Sequence, residues 1–374
     1  MRALLESDFD RFGREWPRDW AAHVRDAYRI DLGSTFLGFP IPHPVGKASG
    51  QLSLRADQLE TDAAAGLAFV VLKTLVGEDA QGRRTMGAWA IHETRMRVER
   101  RSHAGRDGWT VTWKGRGWDG TLEAYLALVR AGRELMRQSG TIVVPSVKLH
   151  LPRIDEAFAA EEYGHTLGAL AEAWGDEPLP LEKDFSPTLA GDALGDEQAR
   201  ILRWVDEVPG RIRAAAPRGA VVGLKLMNAR FDDRFQSLML EHASRSADAV
   251  TAFNRLWDPG QGVAYGGWEL SDRNLRVLRG TGASIPRSGT GNVCTGALVV
   301  QYARAGCGSV QLHTGFQLPL GEYPARAGSR TARALHRIVF DPASGLVAEM
   351  LGLEARGELE RVGGELRFRD LVRR

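Results

Sequence analysis

A barrel of eight parallel strands wrapped by helices, a (β/α)8 fold, is what this sequence predicts, and three observations predict it. Eight short apolar, β-branched runs recur along the chain, and the gaps between them are long enough for crossover helices. Polar or glycine-rich residues follow nearly every run. The 374 residues exceed the ~250 that one such barrel needs and fall short of two full catalytic domains. One barrel with additions is therefore expected.

The runs, in order, are 44–49, 67–75, 141–151, 179–186, 220–227, 249–254, 283–288 and 309–314. Amphipathic spacing predicts helices over 122–137, 155–174, 198–205, 235–245, 272–279 and 293–305. An open doubly wound sheet would alternate in the same way, but its dinucleotide-binding form carries G-x-G-x-x-G after the first strand. Here that turn is Gly46-Lys47-Ala48-Ser49-Gly50, which does not fit, and no G-x-x-x-x-G-K-[ST] loop occurs.

Three additions flank or interrupt the barrel of residues 43–318: an N-terminal extension (1–42), an insertion (77–120) after the second strand, and a helical C-terminal tail (319–374) packing on the barrel. Arg97 to Glu99 and Trp109 to Trp113 flank Gly105-Arg106-Asp107-Gly108, so the insertion is expected to be a hairpin. Loops that follow barrel strands line the active-site face. The hairpin is thus a lid or substrate wall, or else a structural flap.

Composition narrows the function classes. Hydrophobic residues make up 43% and charged ones 26%, with no run near the ~20 apolar residues of a membrane span. Acids in the first eight residues argue against a secretory signal, so a cytoplasmic protein is expected, with peripheral membrane association left open. Cys294 and Cys307 are too few for a metal cluster and are expected to be buried, inert thiols. A net charge of +2, with the Arg95–Arg106 basic run broken by Glu99, gives no nucleic-acid surface. The partner expected is a small-molecule substrate, and a homodimer is the assembly to expect first.

The most informative segments are the last two strand ends. Ser288-Gly289-Thr290-Gly291-Asn292 leads into a helix, and Gln311-Leu312-His313-Thr314-Gly315 ends the next strand. Barrels often bind phosphate at this pair of loops, where glycines let backbone N–H groups approach and the helix dipole favours an anion.

These residues carry a resemblance. Phe36 to Val45 with Ala48-Ser49-Gly50, Val70 to Leu75 around Lys73, Gly223-Leu224-Lys225-Leu226, Ala252-Phe253-Asn254 and the pair Gly266-Gly267 resemble the dihydroorotate dehydrogenase family of FMN-dependent barrels. So does the stretch from Gly289, Gly291 and Gly296 through Ala305 to Phe316.

The resemblance implies FMN as cofactor and oxidation of a CH–CH bond, dihydroorotate to orotate, by hydride transfer to the flavin. It implies that Gly291, Asn292, Thr314 and Gly315 hold the phosphate, with Gly289 and His313 beside them. Ala48, Ser49 and Gly50 would lie along the ring, and Lys73 would reach flavin and substrate. Lys225, Asn254, Gly266 and Gly267 would complete the cofactor site. A cation near N1 and O2 stabilises reduced flavin, and Lys225 is the candidate. Ser186, before Pro187, takes the family's base position.

Departures fall on substrate-binding positions: Lys183 and Thr188 stand where asparagines are expected, and Arg255 where Ser or Thr is usual. Cations in place of amides favour a more anionic or differently shaped substrate. The electron acceptor is not encoded in any motif. Two other readings are a divergent relative with another substrate, and a flavin- or phosphate-binding barrel that has lost catalysis. Flavin reduction of RNA uridines is disfavoured, since neither cysteine falls in an active-site loop.

Overall fold

A computed structural model describes residues 1–87, 96–103, 105–113, 117–185, 197–282 and 284–372. Ser186, Thr188 and Lys114-Gly115-Arg116 lie outside the described residues.

Eight staves form the predicted barrel. They are β1 (Val45–Lys47), β2 (Phe69–Val71 and Leu75–Val76), β3 (Ile142–Val144 and Ser146–Lys148), β4 (Leu179–Asp184), β5 (Ala220–Lys225), β6 (Ala249–Ala252), β7 (Arg287–Thr290) and β8 (Ser309–Leu312). Each pairs in parallel with the next, and β8 pairs with β1, so the ring closes. Pro145, which has no N–H to donate, splits β3, and its carbonyl accepts from Glu182 N at 2.9 Å.

The registers define which side chains face the lumen. Gly46 stands beside Phe69, Ser146 beside Glu182, Glu182 beside Gly223, Asp184 beside Lys225, Lys225 beside Thr251, and Thr290 beside Gln311. The lower lumen is apolar. Phe69, Val71, Ile142, Val144 and Ala249 pack there against Phe36, Leu37 and Ile41.

The last three belong to an antiparallel hairpin, Ser34–Phe36 with Phe39–Ile41, that plugs the barrel floor. Phe36 stacks on Phe69 with ring centroids 3.7 Å apart. Leu37 takes a left-handed turn (φ +50°) that brings it under Gly223, where an added Cβ would lie 2.4 Å from its methyl. Phe36→Ala should lower stability in urea by about 3–5 kcal/mol, because neither the floor nor its plug can collapse into the space.

The remaining apolar residues of the staves, such as Val45, Val70, Val147 and Leu224, join the larger core beneath the outer helices. The N- and C-terminal additions meet: Ile30–Asp31 pairs in parallel with Leu366–Arg367. On β1, Lys47 forms a buried ion pair with Asp62 of helix Ala56–Ala64, and its Nζ lies 3.2 Å from Thr331 of helix Arg330–Phe340. Among the described residues, no helix is long and apolar enough to cross a membrane.

Several elements differ from expectation. Helix Glu197–Ala215 runs through Pro209 instead of ending at 205. Proline leaves the carbonyl four residues back without a partner, and here the Ser246 hydroxyl donates to Val205 O at 2.8 Å. The seventh stave is shifted toward the mouth: Pro286 cannot join the ladder through an N–H, so pairing starts at Arg287 and takes in Gly289 and Thr290. Helix Gly296–Arg304 begins three residues later than expected, at the Thr295 cap, whose hydroxyl accepts from Leu298 N.

The insertion is a hairpin, Met96–His103 with Arg106–Trp113, turning at Gly105 (φ +75°). The turn is tighter than the sequence suggests, and a second hairpin after β6, Leu256–Asp258 with Val263–Gly266, adds to it. One four-stranded sheet is thus built from the loops after β2 and β6. Its tip is held where Arg106 pairs with Asp272 at 2.6 Å and lies over the Trp268 ring.

Candidate functional site

Only six of the 49 lysines and arginines are lysine. The five described ones, Lys47, Lys73, Lys148, Lys183 and Lys225, are all buried, at or near the carboxyl ends of the first five staves. Burying an ammonium is costly unless a carboxylate or carbonyl receives it. Lys225 Nζ lies 3.5 Å from Glu182 Oε1, and Lys148 forms an ion pair with Asp184. Both pairs share the lumen face, just below the mouth.

Asp184 is the hub of this mouth. Besides Lys148 it receives the Asn254 amide at 3.5 Å. Burial pushes its carboxyl up, but the charges of Lys148 and Lys225 and the Lys148 hydrogen bond outweigh burial and hold it at about 2.

Lys183 is placed differently from the substrate role its sequence position suggested. Its register partners are Val147 and Leu224, residues of the core beneath the helices. Its ammonium donates to Asp184 O at 3.2 Å and sits 4.9 Å above the Phe185 ring. Burial, then repulsion from Lys148, brings it down to about 7. Side chains alternate along a strand, so Asp184 and not Lys183 faces the lumen.

Positive charge converges on His313 at the end of β8. Burial first, then the charges of Arg255, Lys225, Lys73 and Lys47, holds its imidazole well below the usual range. The neutral ring abuts the first stave: a Cβ on Gly50 would lie 2.5 Å from it. Ala48 N donates to Leu312 O at 2.8 Å, and the Ser49 and Thr74 hydroxyls are 2.8 Å apart. The Ala48-Ser49-Gly50 backbone, Lys73 and His313 are thereby assembled at one side of the mouth.

The glycine-rich end of β7 forms the adjoining cradle. Gly291 has φ +117° and Asn292 φ +53°, a left-handed pair of which asparagine is the best-tolerated non-glycine member. A Cβ on Gly291 would meet Asn274 Nδ2 at 2.6 Å, and one on Gly289 would enter the Tyr302 ring. Asn292 Oδ1 is buried without a hydrogen-bond partner. Gly315 closes against this loop, its Cβ position being 2.7 Å from Val293 O.

Two asparagines that the sequence did not single out tie the strand ends together. Asn274 donates to Phe253 O at 2.9 Å and Thr290 O at 2.8 Å, while Asn228 donates to Asn254 O at 2.5 Å and Asn274 Oδ1 at 3.0 Å. Gly267 caps helix Trp268–Gly280, whose Ser271 donates to Gly291 O at 2.6 Å. Gly266 and Gly267 thus reach the cradle through that helix.

Signals for the missed residues existed in part. Ser146-Val147-Lys148-Leu149 repeats the apolar–lysine–apolar pattern of Leu224-Lys225-Leu226, and Asn274 interrupts the buried stripe of an amphipathic helix. Cys294 and Cys307 are free, buried thiols that burial pushes up to about 12. Among the described residues, no cluster of three or more His, Cys, Asp or Glu could hold a metal ion.

No protein-family profile matches the chain. It is 21% identical over 295 residues to a dihydroorotate dehydrogenase (quinone) of Cellvibrio japonicus (strain Ueda107), an overlap of 75% of this chain and 80% of that one. The chain is thus similar, over most of its length and within a closed barrel, to a dihydroorotate dehydrogenase, at the distance of a divergent relative.

Proposed function

We propose that the protein is an FMN-dependent dehydrogenase of the dihydroorotate dehydrogenase type, oxidising a CH–CH bond of a dihydropyrimidine-like substrate. The observation that carries the reading is the left-handed turn at Gly291-Asn292, closed against Gly315 of the next strand end, in a barrel whose strand ends carry the buried Lys73 and Lys225. Backbone N–H groups at the ends of the last two staves suit an anionic nucleotide tail, and the lysines of the earlier staves suit the polar edges of the ring. The orphaned Asn292 Oδ1 is an acceptor for a hydroxyl of the ligand, while Gly289, Gly291 and Gly315 are required by packing against Tyr302, Asn274 and Val293 O.

In this reading backbone groups of Gly291, Asn292, Thr314 and Gly315 hold the phosphate, with Gly289 needed for close packing. Ala48, Ser49 and Gly50 line the ring, and Lys73, Lys225 and Asn254 contact its polar edges. When bound, FMN supplies a two-electron acceptor for the hydride. Arg255 and Lys73 orient an anionic substrate, and Ser186 accepts the proton lost from carbon; the roles of Ser186 and Thr188 rest on sequence position alone. A positioned base contributes about 10²–10⁴-fold to such a step.

The test is anaerobic mixing of yellow holoprotein with dihydroorotate. The visible flavin band should bleach in a single turnover. Protein that stays colourless after soaking in FMN ends the cofactor assignment. A second reading, a different cyclic substrate, is favoured by the Lys148–Asp184 pair at the mouth. It predicts a band that persists with dihydroorotate and bleaches with another dihydropyrimidine.

A further inference from the structure

We propose that Glu182 is a positioning residue that partly neutralises Lys225 and thereby holds down the reduction potential of the flavin; this rests on the cofactor reading above. Glu182 sits on the lumen face of β4, one pleat deeper than Lys225, and is 1% exposed. Its Oε1 is 3.5 Å from Lys225 Nζ. Its Oε2 accepts from Gln311 Nε2 at 2.5 Å and from the Thr251 hydroxyl at 3.4 Å, and Gln311 Nε2 also reaches Thr251 Oγ1 at 3.0 Å. Side chains from three other staves therefore converge on one carboxylate.

Packing does not require an acid there. Its register neighbours, Ser146 and Gly223, are small, and the tier below is apolar. A buried carboxylate held by hydrogen bonds on one oxygen and facing Lys225 with the other, in a lumen that could have been filled by an aliphatic side chain, has its effect through its charge. That charge acts on Lys225 first. An anionic reduced ring gains less from a lysine already paired with a carboxylate than from one without it, so the pair favours passing electrons onward.

The experiment compares midpoint potentials of bound FMN by anaerobic dye-coupled titration. Glu182→Gln keeps the size and one acceptor oxygen for Gln311 and Thr251, and should shift the oxidised–reduced equilibrium toward the reduced form about tenfold, about 30 mV for a two-electron couple. In a Lys225→Met background the same change should move the potential little, since the lysine through which Glu182 acts is gone. An unchanged potential in Glu182→Gln overturns the proposal, and so does an equal shift in both backgrounds.

Should Glu182→Gln not fold, Glu182→Asp draws the carboxylate back from the ammonium and should raise the potential by a smaller amount. A urea titration separates the two levels of failure. Lys225→Met should lose stability and adding Glu182→Gln should restore part of it, whether or not flavin binds. Wild-type protein without FMN overturns the cofactor reading and the tuning role with it, while recovery in the double variant still verifies the pair.

Discussion

Lys148→Met is expected to destabilise the protein by about 3–5 kcal/mol in urea, because it strands the Asp184 charge in the barrel lumen. Asp184 would keep the longer Asn254 contact and the fields of Lys225 and Lys183. Adding Asp184→Leu should return most of the loss, since it removes the carboxylate that Lys148→Met leaves without its partner. A single variant within about 1 kcal/mol of wild type would mean that water reaches the pair and screens it.

The same pair sets a pH dependence. The folded Asp184 carboxyl is held at about 2, below its ordinary value near 4, so its contribution is present above pH 4 and is lost as pH falls from about 4 to 2. The shift corresponds to about 2–3 kcal/mol. Lys148→Met should flatten that part of the stability profile.

The second large effect is expected at the cradle. Gly291→Ala must place a Cβ 2.6 Å from the Asn274 amide at φ +117°, and Asn274 is held by two carbonyls from neighbouring strand ends. We expect a loss of about 1–3 kcal/mol in stability. FMN affinity should fall about 10–100-fold by equilibrium dialysis, in line with the loss of one or two charge-assisted hydrogen bonds. Gly140→Ala is the control: that glycine has φ +75° with open space around it at a helix end. It should weaken stability and leave FMN retention untouched, so equal FMN loss in both variants would reduce the cradle to a general strain effect.

Much of the barrel was legible because its determinants are local. Apolar runs such as Val70-Val71-Leu72 and Val221-Val222 announce strands, and the glycines of 289–291 announce a turn whatever lies around them. The edges of elements were less legible where a distant group decided them. Helix Glu197–Ala215 continues past Pro209 because a serine 41 residues from Val205 satisfies the freed carbonyl. The second hairpin of the four-stranded sheet pairs with a strand about 150 positions earlier in the chain.

At the site, sequence alone determined which residue types stand at the strand ends: glycines and an asparagine after β7, Thr314-Gly315 after β8, and lysines at five staves. Tertiary structure decided which of them meet. Lys183 and Asp184 are neighbours in the chain, yet the pleat sends one under the helices and the other into the lumen, a choice fixed by stave register and not by residue type. Glu182 with Lys225, and Lys148 with Asp184, are pairs across separate staves, and closure of the ring is what brings their charges within reach. Local chemistry is written residue by residue, whereas a buried charge is tolerable only beside a partner that the fold alone can supply.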